Sequence, residues 1–285
     1  QRIKFVLFTL PVFFTVKILL HTFWASFGLP VQLRVPFVPV LVVCERVDCM
    51  PSQYEKPLNL KGTNGLVADR QSRLAVIVTH PWGVLGGNLH NNVVVAATLY
   101  FQKIGITTVR FDFVGSQIGR GFIQVQQMQD IANGLLDGKF SSDPSKPPTA
   151  ILLVGYSYGS LIASSASAVI PKCVGCVSIA PPFAVSHWLL MFHSDHHLTQ
   201  AASADLRRLF VIGTQDNFTS EKAFANIVEE RFPNAAGAVL KDADHFFRTR
   251  ERDLMDVIGE WLLETFPQCQ GDLRRLGEIE FFSGI

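Results

Sequence analysis

Apolar positions along the chain fall into short runs separated by longer mixed segments. Leu74–Thr79 (LAVIVT) is an apolar run of the kind expected for a strand covered on both faces, and Leu89–Ile104 follows at helix length. Thr107–Phe111 predicts the next strand, Ile123–Leu136 a helix, Ala150–Val154 a strand, Tyr158–Ile170 a helix and Val174–Ile179 a strand. After an irregular stretch, Pro181–Asp205, the alternation resumes with Leu209–Ile212, Glu221–Phe232, Ala238–Leu240 and Arg250–Phe266. Ahead of these units, Val40–Val43 is a short β-branched run, and Pro51–Arg73 reads as loops with room for short strands. Repeated βα units with buried strands predict an α/β fold: a doubly wound, mostly parallel sheet with helices on both faces. No internal repeat or low-complexity tract interrupts it.

Directly after Ile151–Val154 stands Gly155-Tyr156-Ser157-Tyr158-Gly159, a G-x-S-x-G sequence between a predicted strand and a predicted helix. A serine on so sharp a turn needs small neighbours two positions before and after, which Gly155 and Gly159 supply. The turn lifts the Ser157 hydroxyl above the sheet, at a helix N-terminus where developing negative charge is favoured. A serine hydroxyl is a poor nucleophile until a base takes its proton, and for this motif the acid and then the histidine follow later in the chain. Asp216 follows the run Leu209–Ile212, and His245 follows Ala238–Leu240. These are the candidate orienting acid and base. Asp242 and Asp244 are too close in sequence to reach the far side of the His245 ring and are read as shaping its turn. The oxyanion donors expected are the amides of Tyr158 and, because Pro81 has none, Trp82 in the loop after Leu74–Thr79. His80 is read as structural and Asp112 as an acceptor that organises its loop.

With those residues in view, the segments HPWGVLGGNLHNNVV from His80, VRFDFVG from Val109, GYSYGS from Gly155 and DADHFF from Asp242 resemble the α/β-hydrolases. The resemblance covers about residues 70 to 266 and is to compact hydrolases near the dienelactone-hydrolase-like branch. It implies hydrolysis of an ester or related acyl compound with no metal and no organic cofactor. Two departures bear on substrate choice: Trp82, where the group often carries another ring or His, and the irregular loop Gly115–Gly121. Pro181–Asp205 sits where such folds insert a lid, and Phe183, Trp188, Leu189, Leu190, Met191 and Phe192 would make it an apolar cover. Its four histidines, His187, His193, His196 and His197, lack a recognised metal-ligand spacing.

Composition sharpens this picture at one end of the chain. Of 285 residues 48% are hydrophobic and 17% charged, and the net charge of +1 offers no footprint for nucleic acid. Residues 1 to 43 hold Arg2, Lys4, Lys17 and Arg34 and no acid, leaving 21 basic and 24 acidic residues in the rest. Within them Phe5–Pro30 has 17 apolar residues in 26, a length that reads as a membrane anchor or interfacial helix, with a cleaved signal and a packed helix as alternatives. The expected organisation is a hydrophobic segment over 1–36 and a hydrolase domain over 37–285, with membrane association through residues 5–30. The five cysteines form no disulfide framework, and the lone Cys173-x-x-Cys176 pair is read as core or surface thiols. The expected activity is serine hydrolysis of a small-molecule carboxylic ester. Peptide or amide cleavage and acyl transfer share the machinery, and an inactive membrane-tethered binding module is the reading from another class. No residue pattern signals an oligomeric state.

Overall fold

The computed structural model describes residues 52–115 and 117–282. The hydrophobic segment 1–36, the boundary at 36/37, the run Val40–Val43, Cys44 and Cys49 lie outside the described residues. Among the described residues eight strands form one sheet: β1 (Lys56–Pro57), β2 (Gly65–Ala68), β3 (Leu74–Thr79), β4 (Thr107–Phe111), β5 (Ala150–Tyr156), β6 (Cys173–Ile179), β7 (Arg207–Gln215) and β8 (Ala236–Asp244). Their order is β1-β2-β4-β3-β5-β6-β7-β8. β3 to β8 run parallel, whereas β2 pairs antiparallel with both β1 and β4. The helices are α1 (Asn92–Lys103), α2 (Phe122–Leu136), α3 (Tyr158–Ala166), α4 (Ser186–Leu189), α5 (Ser194–Ala202), α6 (Glu221–Arg231) and α7 (Glu251–Thr265).

Every residue of β3 and of β5 is buried, because helices cover both faces of the sheet. Side chains alternate between those faces. Ala75, Ile77, Ile151 and Leu153 pack with Met128 and Ile131 of α2, Leu161 and Ile162 of α3, and Phe224 of α6. Leu74, Val76, Leu152 and Val154 face the other way, onto Val94 and Phe101 of α1 and Leu254, Ile258 and Leu262 of α7. A truncation such as Ile77→Ala at the centre of this core costs about 2–5 kcal/mol.

Several boundaries differ from the pattern-based expectation for local reasons. α1 begins at Asn92 rather than Leu89, because the Asn91 carboxamide accepts from the Asn88 amide (2.7 Å) and folds 88–91 into a turn. α3 stops at Ala166, and the Ser167 hydroxyl donates to the Ser164 carbonyl (2.6 Å) as the helix unwinds. A buried ion pair also ties the early segment to the sheet: Arg110 Nε and its terminal nitrogen donate to both Glu55 carboxylate oxygens at 2.8 and 2.7 Å. The same guanidinium donates to the Leu89 carbonyl (2.8 Å), so the charge is fully partnered.

Parallel strands put all their carboxyl ends at one edge of the sheet. From β3 the chain steps outward to β4 and then returns to β5 on the other side, so a crevice opens beyond the ends of β3 and β5. The loops carrying Trp82, Ser157, Asp216 and His245 all leave the sheet at that edge. Among the described residues no helix is long and apolar enough to cross a membrane.

Candidate active site

Ser157 stands between β5 and α3 at φ 54°, ψ −123°. Such a conformation in a residue with a side chain costs of order 1–3 kcal/mol and has to be imposed by its surroundings. The flanking glycines are what allow it. A Cβ on Gly155 would lie 2.5 Å from the Gly159 carbonyl oxygen, and one on Gly159 would lie 2.6 Å from the His80 carbonyl oxygen. The elbow is also pinned by the Ser157 amide, which donates to the Ile179 carbonyl at 2.8 Å as if continuing the β5–β6 ladder.

His245 and Asp216 reach the same point from β8 and β7. Ser157 Oγ lies 2.9 Å from His245 Nε2, and His245 Nδ1 lies 2.8 Å from Asp216 Oδ2. A neutral imidazole with its proton on Nδ1 satisfies both contacts: Nδ1–H donates to the carboxylate and Nε2 accepts from the hydroxyl. The Asp216 side chain is fully buried, and its second oxygen accepts from the amides of Phe218 (2.7 Å) and Thr219 (3.0 Å). Ser220 caps α6, its hydroxyl accepting from the Ala223 amide, which leaves Asp216 to face the imidazole. Phe218 lies against the His245 ring, centroids 4.4 Å apart. The buried Tyr156 hydroxyl donates to the His245 carbonyl (3.1 Å), and desolvation, with Asp244 and Asp216 nearby, raises that phenol above its ordinary range. Asp244 accepts from the Phe246 amide (2.9 Å), and the Asp242 amide donates to Thr214 Oγ1 (2.9 Å). The Asp244 carboxylate therefore acts within the turn, whereas the Asp242 main chain ties β8 to β7.

Tyr158 is the first residue of α3, so its amide has no acceptor within the helix and lies beside Ser157. Trp82 lies in the loop after β3. Its carbonyl accepts from the amides of Leu85 and Gly87 (3.1 Å each), and its indole donates to the Gln117 carbonyl (2.8 Å). His80 is buried and its ring is fully used: Nε2 accepts from the Phe113 amide (2.9 Å) and Nδ1 donates to the Pro81 carbonyl (2.5 Å). Desolvation lowers its pKa and favours this neutral form. Asp112 accepts from the Leu89 amide (2.8 Å) and the Asn64 carboxamide (2.6 Å), holding the turn that leads into α1. A groove of about 390 Å³ opens between these loops, lined by Gly83, Asn88, Asp112 and Gln117 among others; its lining includes neither Ser157 nor His245.

Segment 181–205 contains α4 and α5 and docks on α3 through buried Leu190, His197 and Ala201. His197 Nε2 donates to the Arg120 carbonyl (2.6 Å) and Nδ1 accepts from Ser165 (2.7 Å). Its burial lowers the imidazole pKa. Thr219, a residue that carries no motif and was not singled out from sequence, links this segment to the acid: its hydroxyl donates to the Pro181 carbonyl (2.7 Å) and accepts from the Phe183 amide (2.9 Å). Among the described residues no group of three or more His, Cys, Asp or Glu is placed to hold a metal ion. Desolvation pushes the Cys173 thiol up to about 12 and raises Cys176 as well, the reverse of what a reactive thiolate requires.

No family model matches the chain. An uncharacterized protein of Rickettsia prowazekii (strain Madrid E) is 25% identical over 195 residues, which is 66% of this chain and 77% of that protein. Solved structures align over most of the described region. A serine hydrolase of Xanthomonas campestris, described as having no lid, is 21% identical with a TM-score of 0.58, covering 75% of this chain and 95% of its own. An α/β serine hydrolase homologue from Coxiella burnetii is 21% identical with a TM-score of 0.57, covering 73% and 97%. A Pyrococcus furiosus esterase is 17% identical with a TM-score of 0.58, covering 74% and 90%. At these identities the likeness is one of fold.

Proposed function

We propose that this chain, which has the α/β-hydrolase fold, is a serine hydrolase that cleaves a carboxylic ester through an acyl-enzyme. The observation that carries the reading is the continuous line Ser157 Oγ, His245 Nε2, His245 Nδ1, Asp216 Oδ2, with contacts of 2.9 and 2.8 Å, on a serine held at φ 54°. A site without chemistry has no physical need for that conformation and that order of groups together.

In this reading Ser157 Oγ attacks the ester carbonyl as its proton passes to His245 Nε2. Asp216 keeps Nδ1–H pointed at itself and stabilises the imidazolium that forms. The carbonyl oxygen, now an oxyanion, accepts from the Tyr158 and Trp82 amides at the positive end of α3. The C–O bond to the alcohol breaks, and the imidazolium returns its proton to the departing alkoxide. Water then attacks the acyl-enzyme, losing a proton to His245, and Ser157 is regenerated with release of the carboxylic acid. Segment 181–205 serves as the lid, tied at its base to the acid loop through Thr219 and exposing Trp188, Met191 and Phe192 as apolar surface for the acyl group.

Hydrolysis of p-nitrophenyl acyl esters of graded chain length tests the reading. Turnover that disappears in Ser157→Ala is the expected result. Turnover that survives the substitution overturns the assignment.

A further inference from the structure

The loop after β3 has to aim the Trp82 amide at Ser157, yet Trp82 lies outside every strand and α-helix, just ahead of a single 3-10 turn, Gly83–Leu85. What fixes them comes from Gln117, in the loop between β4 and α2. Gln117 Oε1 accepts from the Gly83 amide at 2.6 Å, and the Gln117 carbonyl accepts from the Trp82 indole at 2.8 Å. One residue therefore holds both the N–H of the Trp82–Gly83 peptide and the Trp82 side chain. The fit is close: a Cβ on Gly83 would run into the Gln117 carboxamide. The Trp82 carbonyl is already held by Leu85 and Gly87, and the adjoining Pro81 carbonyl by His80. The Trp82 N–H belongs to the preceding Pro81–Trp82 peptide; with the Pro81 carbonyl, the Trp82 carbonyl, the Trp82 indole and the Gly83 amide all engaged, the peptides on both sides of the Trp82 Cα are held, and the direction of the Trp82 N–H with them.

We propose that Gln117 is a positioning residue of the oxyanion site, acting through the Gly83 amide and the Trp82 indole without touching substrate. The assignment rests on the serine-hydrolase reading above. The Gly83 contact depends on the side chain and is open to substitution, whereas the indole contact goes to the main chain and survives it. Gln117→Ala thus releases one of two tethers. Gln117→Glu keeps an acceptor for the Gly83 amide while adding charge near the oxyanion.

Two readouts test this in the full chain. The first is amide hydrogen exchange in the peptide spanning 82–87. Gln117→Ala is expected to accelerate exchange there by about 10-fold, and Gln117→Glu to restore the protection. The second is steady-state ester hydrolysis. Gln117→Ala is expected to lower kcat by about 10- to 100-fold with KM within about twofold, because misaiming an oxyanion donor weakens the transition state and leaves ground-state binding alone. Unchanged exchange together with an unchanged kcat in Gln117→Ala overturns the assignment while Ser157-dependent turnover of the unsubstituted protein leaves the hydrolase reading standing. If the unsubstituted protein shows no Ser157-dependent turnover, the hydrolase reading fails and the assignment falls with it. A general loss of folding in Gln117→Ala would accelerate exchange throughout the chain, and the Gln117→Glu exchange pattern then decides: protection kept at 82–87 supports the assignment, and protection lost there overturns it.

Discussion

Asp216 divides its carboxylate between two tasks: Oδ2 meets His245 Nδ1 at 2.8 Å while Oδ1 accepts from the amides of Phe218 and Thr219. The carboxylate is thereby oriented before it orients anything else. Asp216→Asn keeps the shape, but the amide nitrogen would either face Nδ1–H or displace the amides of 218 and 219, so the imidazole turns to the wrong tautomer. A fall in kcat of about 10³–10⁴-fold with little change in unfolding temperature is expected, measured by ester hydrolysis and thermal melts.

The glycines around Ser157 are spatial requirements rather than flexibility. Gly159→Ala would place its methyl 2.6 Å from the His80 carbonyl oxygen and 2.7 Å from Thr79 Oγ1, both groups fixed by the β3 strand end. A loss of about 1–3 kcal/mol or more in urea unfolding is expected, together with lower ester turnover, since the displaced group belongs to the loop that carries Trp82.

Tyr158 presents the opposite case. Its amide serves the proposed oxyanion site, but its side chain lies in the core, ring edge-on to Phe113, and its hydroxyl has no hydrogen-bond partner among the described residues. Burial raises that phenol's pKa, in keeping with a hydroxyl deprived of polar company. Tyr158→Phe removes an unmet donor at nearly constant shape, and a gain of about 1 kcal/mol in urea unfolding is expected.

Stability should fall on mild acidification. His80 and His197 are both neutral and buried, with pKa values lowered chiefly by desolvation. The unfolded chain begins to take up protons at these rings below about pH 6.5, where the folded chain does not, so unfolding gains as pH falls through and below that value. Each such histidine contributes up to about 1.4 kcal/mol per pH unit in that window. Urea midpoints at pH 7.5, 6.5 and 5.5 should therefore decline, and His197→Asn should flatten the decline; a slope unaltered by that substitution would argue against the neutral ring.

The central strands, and the loops that bring Ser157, Asp216 and His245 together, were readable because each depends on local pattern. β3 and β5 are uninterrupted apolar runs, and Ser157, Asp216 and His245 each follow the end of such a run. β2 was not legible: it has four residues, and its antiparallel pairing with β4 depends on a strand some forty positions later in the chain. The Glu55–Arg110 ion pair, the Thr219 link and the Gln117 grip escaped for the same reason, since each joins segments far apart in sequence that only the folded sheet brings together. α4 and α5 lie in a stretch whose apolar residues follow neither a helical nor a strand period; what shapes it is docking on α3 by Leu190 and His197.

The central claim is that Ser157 is an activated nucleophile, and covalent labelling by a fluorophosphonate probe tests it without knowledge of the substrate. Mass spectrometry of the treated full chain should show one phosphonyl adduct, on Ser157, absent from Ser157→Ala and strongly slowed in His245→Ala. Folded protein that stays unlabelled, or that is labelled equally well when Ser157 is alanine, would contradict it.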